Sequence, residues 1–142
     1  MSTISELCEE HRQLEAQARQ MLHIVAAPYA DAAAVAGVRW RMAQMLFNHC
    51  EHEDRLVYRT ILSSGDAVAT AAAMAYRHEH GELAANFGRY VTNWPVARIN
   101  QEWDAFRAET RSVMERLATR IDNEENVLYG HAERVTERRK AA

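Results

Sequence analysis

The stretch His49-Cys50-Glu51-His52-Glu53-Asp54-Arg55-Leu56-Val57-Tyr58 decides the fold. His49 and Glu53 stand four residues apart, so on a helix they share one face. That face runs back through Met45, Met42 and Val38 and forward through Leu56 and Thr60. Steps of three and four are the period of an amphipathic helix. At its middle, a seam that should be wholly apolar carries an imidazole and a carboxylate. Buried polar groups are costly unless something satisfies them. The stretch therefore predicts a long helix whose inner face does more than pack.

Working outward, Asp31 can cap this helix and Ser63-Ser64-Gly65 can stop it near residue 62. Before it, Ile4, Leu7, His11, Leu14, Ala18, Met21 and Val25 form one face of a helix over about residues 5–26, which Pro28 ends. After it, Asp66 can cap a third helix over about residues 67–91, with Ala73, Tyr76, His80, Leu83, Phe87 and Tyr90 inward. Asn93-Trp94-Pro95 marks the next turn. A last helix starts between Val96 and Glu102 and runs to about residue 133. Its seam is Phe106, Val113, Leu117, Arg120, Glu124, Val127 and His131. The expected architecture is all-α: one domain over residues 1–142, an antiparallel up-down-up-down four-helix bundle.

Composition agrees with this. An apolar fraction of 48% and a charged fraction of 26% are those of a globular domain, and only five Gly and two Pro leave little material for turns. A net charge of -3 points to no nucleic-acid partner. No apolar run approaches the ~20 residues needed to cross a bilayer, and the acidic start (Glu6, Glu9, Glu10) has no leader-like apolar region. Cys8 and Cys50 form no metal or redox motif and read as reduced thiols, so a cytoplasmic location is expected. Trp40, Trp94 and Trp103 are expected between helices or at a subunit contact. No phosphate-binding Gly-rich loop is present, and no Ser-His-Asp arrangement can be argued from spacing. His11, His49 and Glu53 could exchange protons, but no substrate pocket is legible, so catalysis is not the expected role.

His11, His49 with Glu53, His80, and Arg120 with Glu124 are the polar seam residues of the successive helices. His11 and His49 lie at similar distances on either side of the first turn, which brings them to one level. His80 lies at a similar distance before the Asn93 turn. Imidazole and carboxylate together suit iron, zinc or manganese.

These segments resemble the hemerythrin-like domain, also called the HHE cation-binding domain. Glu10-His11 matches its first motif, the opening stretch matches its second, and Glu79-His80 with Leu83 matches its third. Arg120-Ile121-Asp122-Asn123-Glu124-Glu125-Asn126-Val127-Leu128-Tyr129 matches the fourth, except that Arg120 stands where the pattern has His. Tyr76 takes the place of a second third-helix His. The resemblance implies a non-haem di-iron centre in a left-handed four-helix bundle, with ligands His11, His49, Glu53, His80 and Glu124 and both glutamates bridging. It also implies binding or sensing of oxygen, nitric oxide, peroxide or iron.

Arg120 leaves three alternatives open, because a guanidinium stays protonated and cannot ligate a metal. It replaces a metal as the counter-charge of the glutamates; or it swings aside and one metal remains; or a di-iron site survives with fewer protein ligands. The contrasting expectation is a metal-free helical module that acts by binding a protein partner or a second copy of itself.

Overall fold

A computed structural model describes residues 3–141 of the chain. These residues form helices and short connections, with no strand among them. Helix α1 (Ile4–Val25) starts where the Thr3 hydroxyl accepts the backbone N–H of Glu6 at 3.3 Å. Asp31 does the same for α2 (Ala32–Glu53), accepting from Ala34 N–H at 3.1 Å. These side-chain acceptors satisfy N–H groups that a helix start leaves unpaired. The second rod continues through a π turn (Asp54–Tyr58) into α3 (Arg59–Leu62). Asp66 then caps α4 (Ala67–His80) through Ala69 N–H at 2.9 Å.

The third rod is broken, where the sequence predicts it continuous over about residues 67–91. Helix α4 stops at His80, Gly81 adopts φ 67° and ψ -163°, and α5 (Leu83–Asn93) begins afresh. That backbone region is essentially reserved for glycine, so Gly81 sets the break. The fourth rod has a bent start. Short α6 (Val96–Gln101) turns at Glu102 into α7 (Trp103–Asn123), which passes through a second π turn (Glu124–Leu128) into α8 (Tyr129–Ala141). Together the rods make the expected four-helix bundle, with α1 lying along α2 and α7, and α2 also against α5.

The two π turns shift the seams. The sequence places Leu56, Thr60, Val127 and His131 inward. The structure instead buries Val57, Ile61, Leu128 and Ala132, and leaves Val127 54% exposed. A π turn takes one residue more than an α turn, so each inward position beyond it falls one residue later. Both turns begin directly at or after a seam carboxylate, Glu53 or Glu124. The extra residue also turns two consecutive side chains inward: Val57 with Tyr58, and Leu128 with Tyr129.

The core is split in two. One cluster contains Leu14, Met21, Val38, Met42, Phe106 and Ile121, with Trp94 and Trp103 sealing it. The other contains Leu7, Val57, Ile61, Leu128, Ala132 and Val135. Trp40 joins neither and is 67% exposed. Between the clusters lies a buried polar layer of His11, His49, Glu53, Arg120 and Glu124.

Candidate metal centre

His11 and His49 stand within α1 and α2, Arg120 is in the last turn of α7, and Glu53 and Glu124 stand where the two π turns begin. His11 and His49 face each other with their Nε2 atoms 3.0 Å apart. Glu124 Oε1 lies 2.9 Å from His11 Nε2, and Glu53 Oε2 lies 3.1 Å from His49 Nε2. One donor atom from each of His11, His49, Glu53 and Glu124 falls within 4.8 Å of the others, and all four residues are buried.

The outer nitrogen of each ring is engaged as well. His11 Nδ1 is 2.6 Å from Glu125 Oε2, and His49 Nδ1 is 2.8 Å from Glu10 Oε1. Glu125 is in turn held by Arg12, and the second oxygen of Glu10 meets His52 Nδ1 at 2.7 Å. With Nδ1–H donating to a carboxylate, Nε2 is the nitrogen aimed at the centre, available to a metal once it gives up any proton it carries. This carboxylate–histidine arrangement orients imidazoles for a metal and raises their basicity. Two imidazole nitrogens and two carboxylates converging in an apolar core call for positive charge at their focus, a proton or a metal ion. A two-imidazole, two-carboxylate set suits a divalent transition ion, so the chemistry and aim of these residues fit a metal.

The electrostatics favour positive charge at this point, which without a metal is carried by the His49 imidazolium. Burial pushes the His49 pKa down, but the Glu124 and Glu53 carboxylates beside it outweigh that and carry it up to about 10. Burial likewise pushes Glu124 up, yet the His11 hydrogen bond and the nearby His49 imidazole hold its carboxyl well below the usual range. For Glu53, burial wins over the His49 hydrogen bond and the pKa rises. The two glutamates are thus unlike: Glu124 is the firmly ionised partner. Tyr129 donates to Glu53 Oε2 at 2.6 Å and so steadies the other.

Four of the five ligands implied by the resemblance come together; His80 stays apart. It is the last residue of α4, half-buried, with its ring tilted against Tyr76 at 4.5 Å between centroids. The Gly81 break and Arg120 explain this. Arg120 Nη1 donates to the carbonyls of Gly81 at 2.9 Å and of His80 at 3.3 Å, while its Nε donates to Glu124 Oε2 at 3.3 Å. The guanidinium therefore pins the exposed C-terminal end of α4 and one glutamate at once, a favourable place for a cation. Tyr76 completes the brace by donating to the Arg120 carbonyl at 3.0 Å. Of the three alternatives for Arg120, the geometry is a pairing with Glu124 alone; Glu53 turns to Tyr129 and His49 instead.

Beside the break, a cavity of about 510 Å³ reaches Glu53, Cys50, Tyr58 and Arg120. Burial and the Glu53 charge push the Cys50 thiol up to about 11. With no metal cation beside it, it is therefore a neutral thiol near pH 7.

Sequence reasoning did not single out Glu10, Glu125, Tyr58 or Tyr129. Glu10 and Glu125 adjoin ligands in the motifs, and a rule seeking an acceptor for each ligand's outer nitrogen would have found them. The tyrosines depend on the π turns, which periodicity does not reveal.

A family model described as the hemerythrin HHE cation binding domain matches residues 2–132. No curated protein and no solved structure matches the chain.

Proposed function

Because the chain belongs to the hemerythrin HHE cation-binding domain family, we propose that it holds a single non-haem iron ion and uses it to bind or sense oxygen, nitric oxide or peroxide. The observation that carries this reading is the buried convergence of His11, His49, Glu53 and Glu124 within 4.8 Å. His11 and His49 would supply Nε2, and the two glutamates one oxygen each. A second metal would need the place on the α4 side, where the Arg120 guanidinium sits between Glu124 and the Gly81 carbonyl. A fixed cation there opposes a second one by direct repulsion. The resemblance implies His80 as a further ligand; with its ring on Tyr76, the proposed ligand set omits it.

Iron in this centre supplies coordination positions for a small oxygen or nitrogen ligand and a change of redox state. The protein's own part is to hold and shield. Glu125 and Glu10 keep each imidazole's Nε2 aimed inward. Tyr129 fixes one oxygen of Glu53. The apolar clusters on either side bury the layer, which strengthens the charge interactions within it.

The Arg120–Glu124 pair favours a second reading: a metal-free helical interaction module in which Arg120 neutralises the glutamate. An oxygen-free titration of chelator-treated protein with ferrous iron, followed by thermal melting, separates the two. The metal reading expects saturable stabilisation. It further expects Glu10→Gln, which weakens the support of His49, to bind about 10–100-fold more weakly. A melting temperature indifferent to ferrous iron would leave the module reading standing.

A further inference from the structure

Trp94 and Trp103 seal the core, while Trp40 stays on the surface. It has company there. Ala36, Trp40, Ala43 and Phe47 follow one another along α2 at steps of four, three and four. At about 100° per residue these positions fall within about 60° of one another, so they form one stripe. Trp40 is 67% and Phe47 59% exposed, Ala36 is exposed and Ala43 half-buried. The stripe runs along the side of α2 turned away from α1; Arg41 marks the other side by reaching Gln17 of α1 at 3.0 Å. Phe47 borders α5, where it shares a cavity wall with Leu83 and Ala84.

The solvent side of a helix is ordinarily polar, and two large rings held in water there mark a contact surface. The exposed neighbours Gln44 and Asn48 are uncharged. An aromatic-rich, charge-poor patch has the composition of an interface core. The order of sizes says what covers it. The stripe reads small, large, small, large, and the midpoint of residues 36 and 47 is also the midpoint of 40 and 43. A second α2 laid antiparallel about that midpoint sets Phe47 on the partner's Ala36 and Trp40 on the partner's Ala43. Large meets small at every level, which is how facing helices interdigitate, and the contact is its own mirror under a two-fold axis. The area is also of the right order. A Trp or Phe side chain carries ~150–250 Å², so the exposed parts of Trp40 and Phe47 from two copies amount to roughly 500 Å². The rest of the stripe, with Gln44, Asn48 and the exposed Gly88 of the adjoining α5, extends this toward the ~1,200 Å² at which specific interfaces begin.

We propose that two copies of this chain pair through the Ala36–Phe47 stripe of α2, antiparallel, about a two-fold axis between Trp40 and Ala43. The inference is independent of the metal reading. An area at the lower limit of specific interfaces makes the pair a reversible one, dissociating on the order of micromolar concentrations.

The test is sedimentation velocity of the full chain from about 1 to about 200 µM, the range over which a micromolar pair associates. It compares the parent with Phe47→Ala and with the exchange Phe47→Ala/Ala36→Phe. Residues 36 and 47 are both exposed, so both variants keep the fold, which melting at low concentration checks. The parent is expected to shift from monomer to dimer. Phe47→Ala should weaken the pair about tenfold or more, because the two-fold axis removes the anchor twice. The exchange should bring the affinity back to within a few-fold of the parent, since large again faces small. A parent that stays monomeric throughout would overturn the proposal and leave the stripe to a different protein. A dimer indifferent to Phe47→Ala would overturn it by placing the contact elsewhere, such as the exposed Val68 and Met74 of α4. An exchange variant as weak as Phe47→Ala would overturn the antiparallel register.

Discussion

Replacing Arg120 with alanine is expected to destabilise the metal-free protein by about 3 kcal/mol, a fall in melting temperature of roughly 10 °C for a chain of this size. Arg120 is 7% exposed and faces Glu124, which is fully buried. Alanine leaves that glutamate without its guanidinium and frees the Gly81 and His80 carbonyls at the break. Removing one partner of a buried pair costs more than the pair itself is worth, because the remaining charge stays buried. His11 still reaches Glu124 Oε1 at 2.9 Å, which places the estimate at the lower end of the usual range. The same variant should hold a metal at least as tightly as its parent, since a neighbouring positive charge has gone. Differential scanning calorimetry with and without ferrous iron reads both effects. An unchanged metal-free melting temperature would remove Arg120 from its structural place between Glu124 and the α4 end.

Replacing His49 with alanine is expected to weaken metal binding by more than about 100-fold. A structural metal held by four side chains contributes on the order of 10–16 kcal/mol in small metal-dependent domains, so one ligand in four is worth two to three powers of ten in affinity. His49 is central: its Nε2 lies 3.0 Å from His11 Nε2 and 3.1 Å from Glu53, and its Nδ1 rests on Glu10. Isothermal titration with ferrous or zinc ion measures the change. His80→Ala provides the contrast and should leave affinity within a few-fold of the parent, because that ring packs on Tyr76. Equal losses in the two variants would mean that the third rod supplies a ligand after all.

The fold was legible because its signals are local and repeated. The His49–Glu53 spacing, the Asp31 and Asp66 caps and the Pro28 and Gly65 stops each mark a helix or its end without reference to the rest of the chain. The polar layer was legible for the same reason: His11, His49, Glu53 and Glu124 lie on seams that should be apolar. The register beyond the site was not. Val57 and Leu128 replace Leu56 and Val127 inside the core, because a π turn inserts a residue that a constant period cannot register. His80 lies outside the four-residue group for a different reason. The seam reading extends one helix through Gly81, a residue tolerated within helices, whereas its positive φ of 67° ends α4 there. Arg120 was visibly anomalous in the sequence, but its outer partners are backbone carbonyls exposed by that break. No pattern of side chains announces them.

The most direct test of the account is the ratio of metal to chain in protein loaded with ferrous iron without oxygen and then freed of excess by gel filtration. The geometry of His11, His49, Glu53 and Glu124, with Arg120 beside them, predicts one iron per chain. Two per chain would contradict the single-ion centre and the place given to Arg120, and none in a folded protein would contradict a metal function altogether.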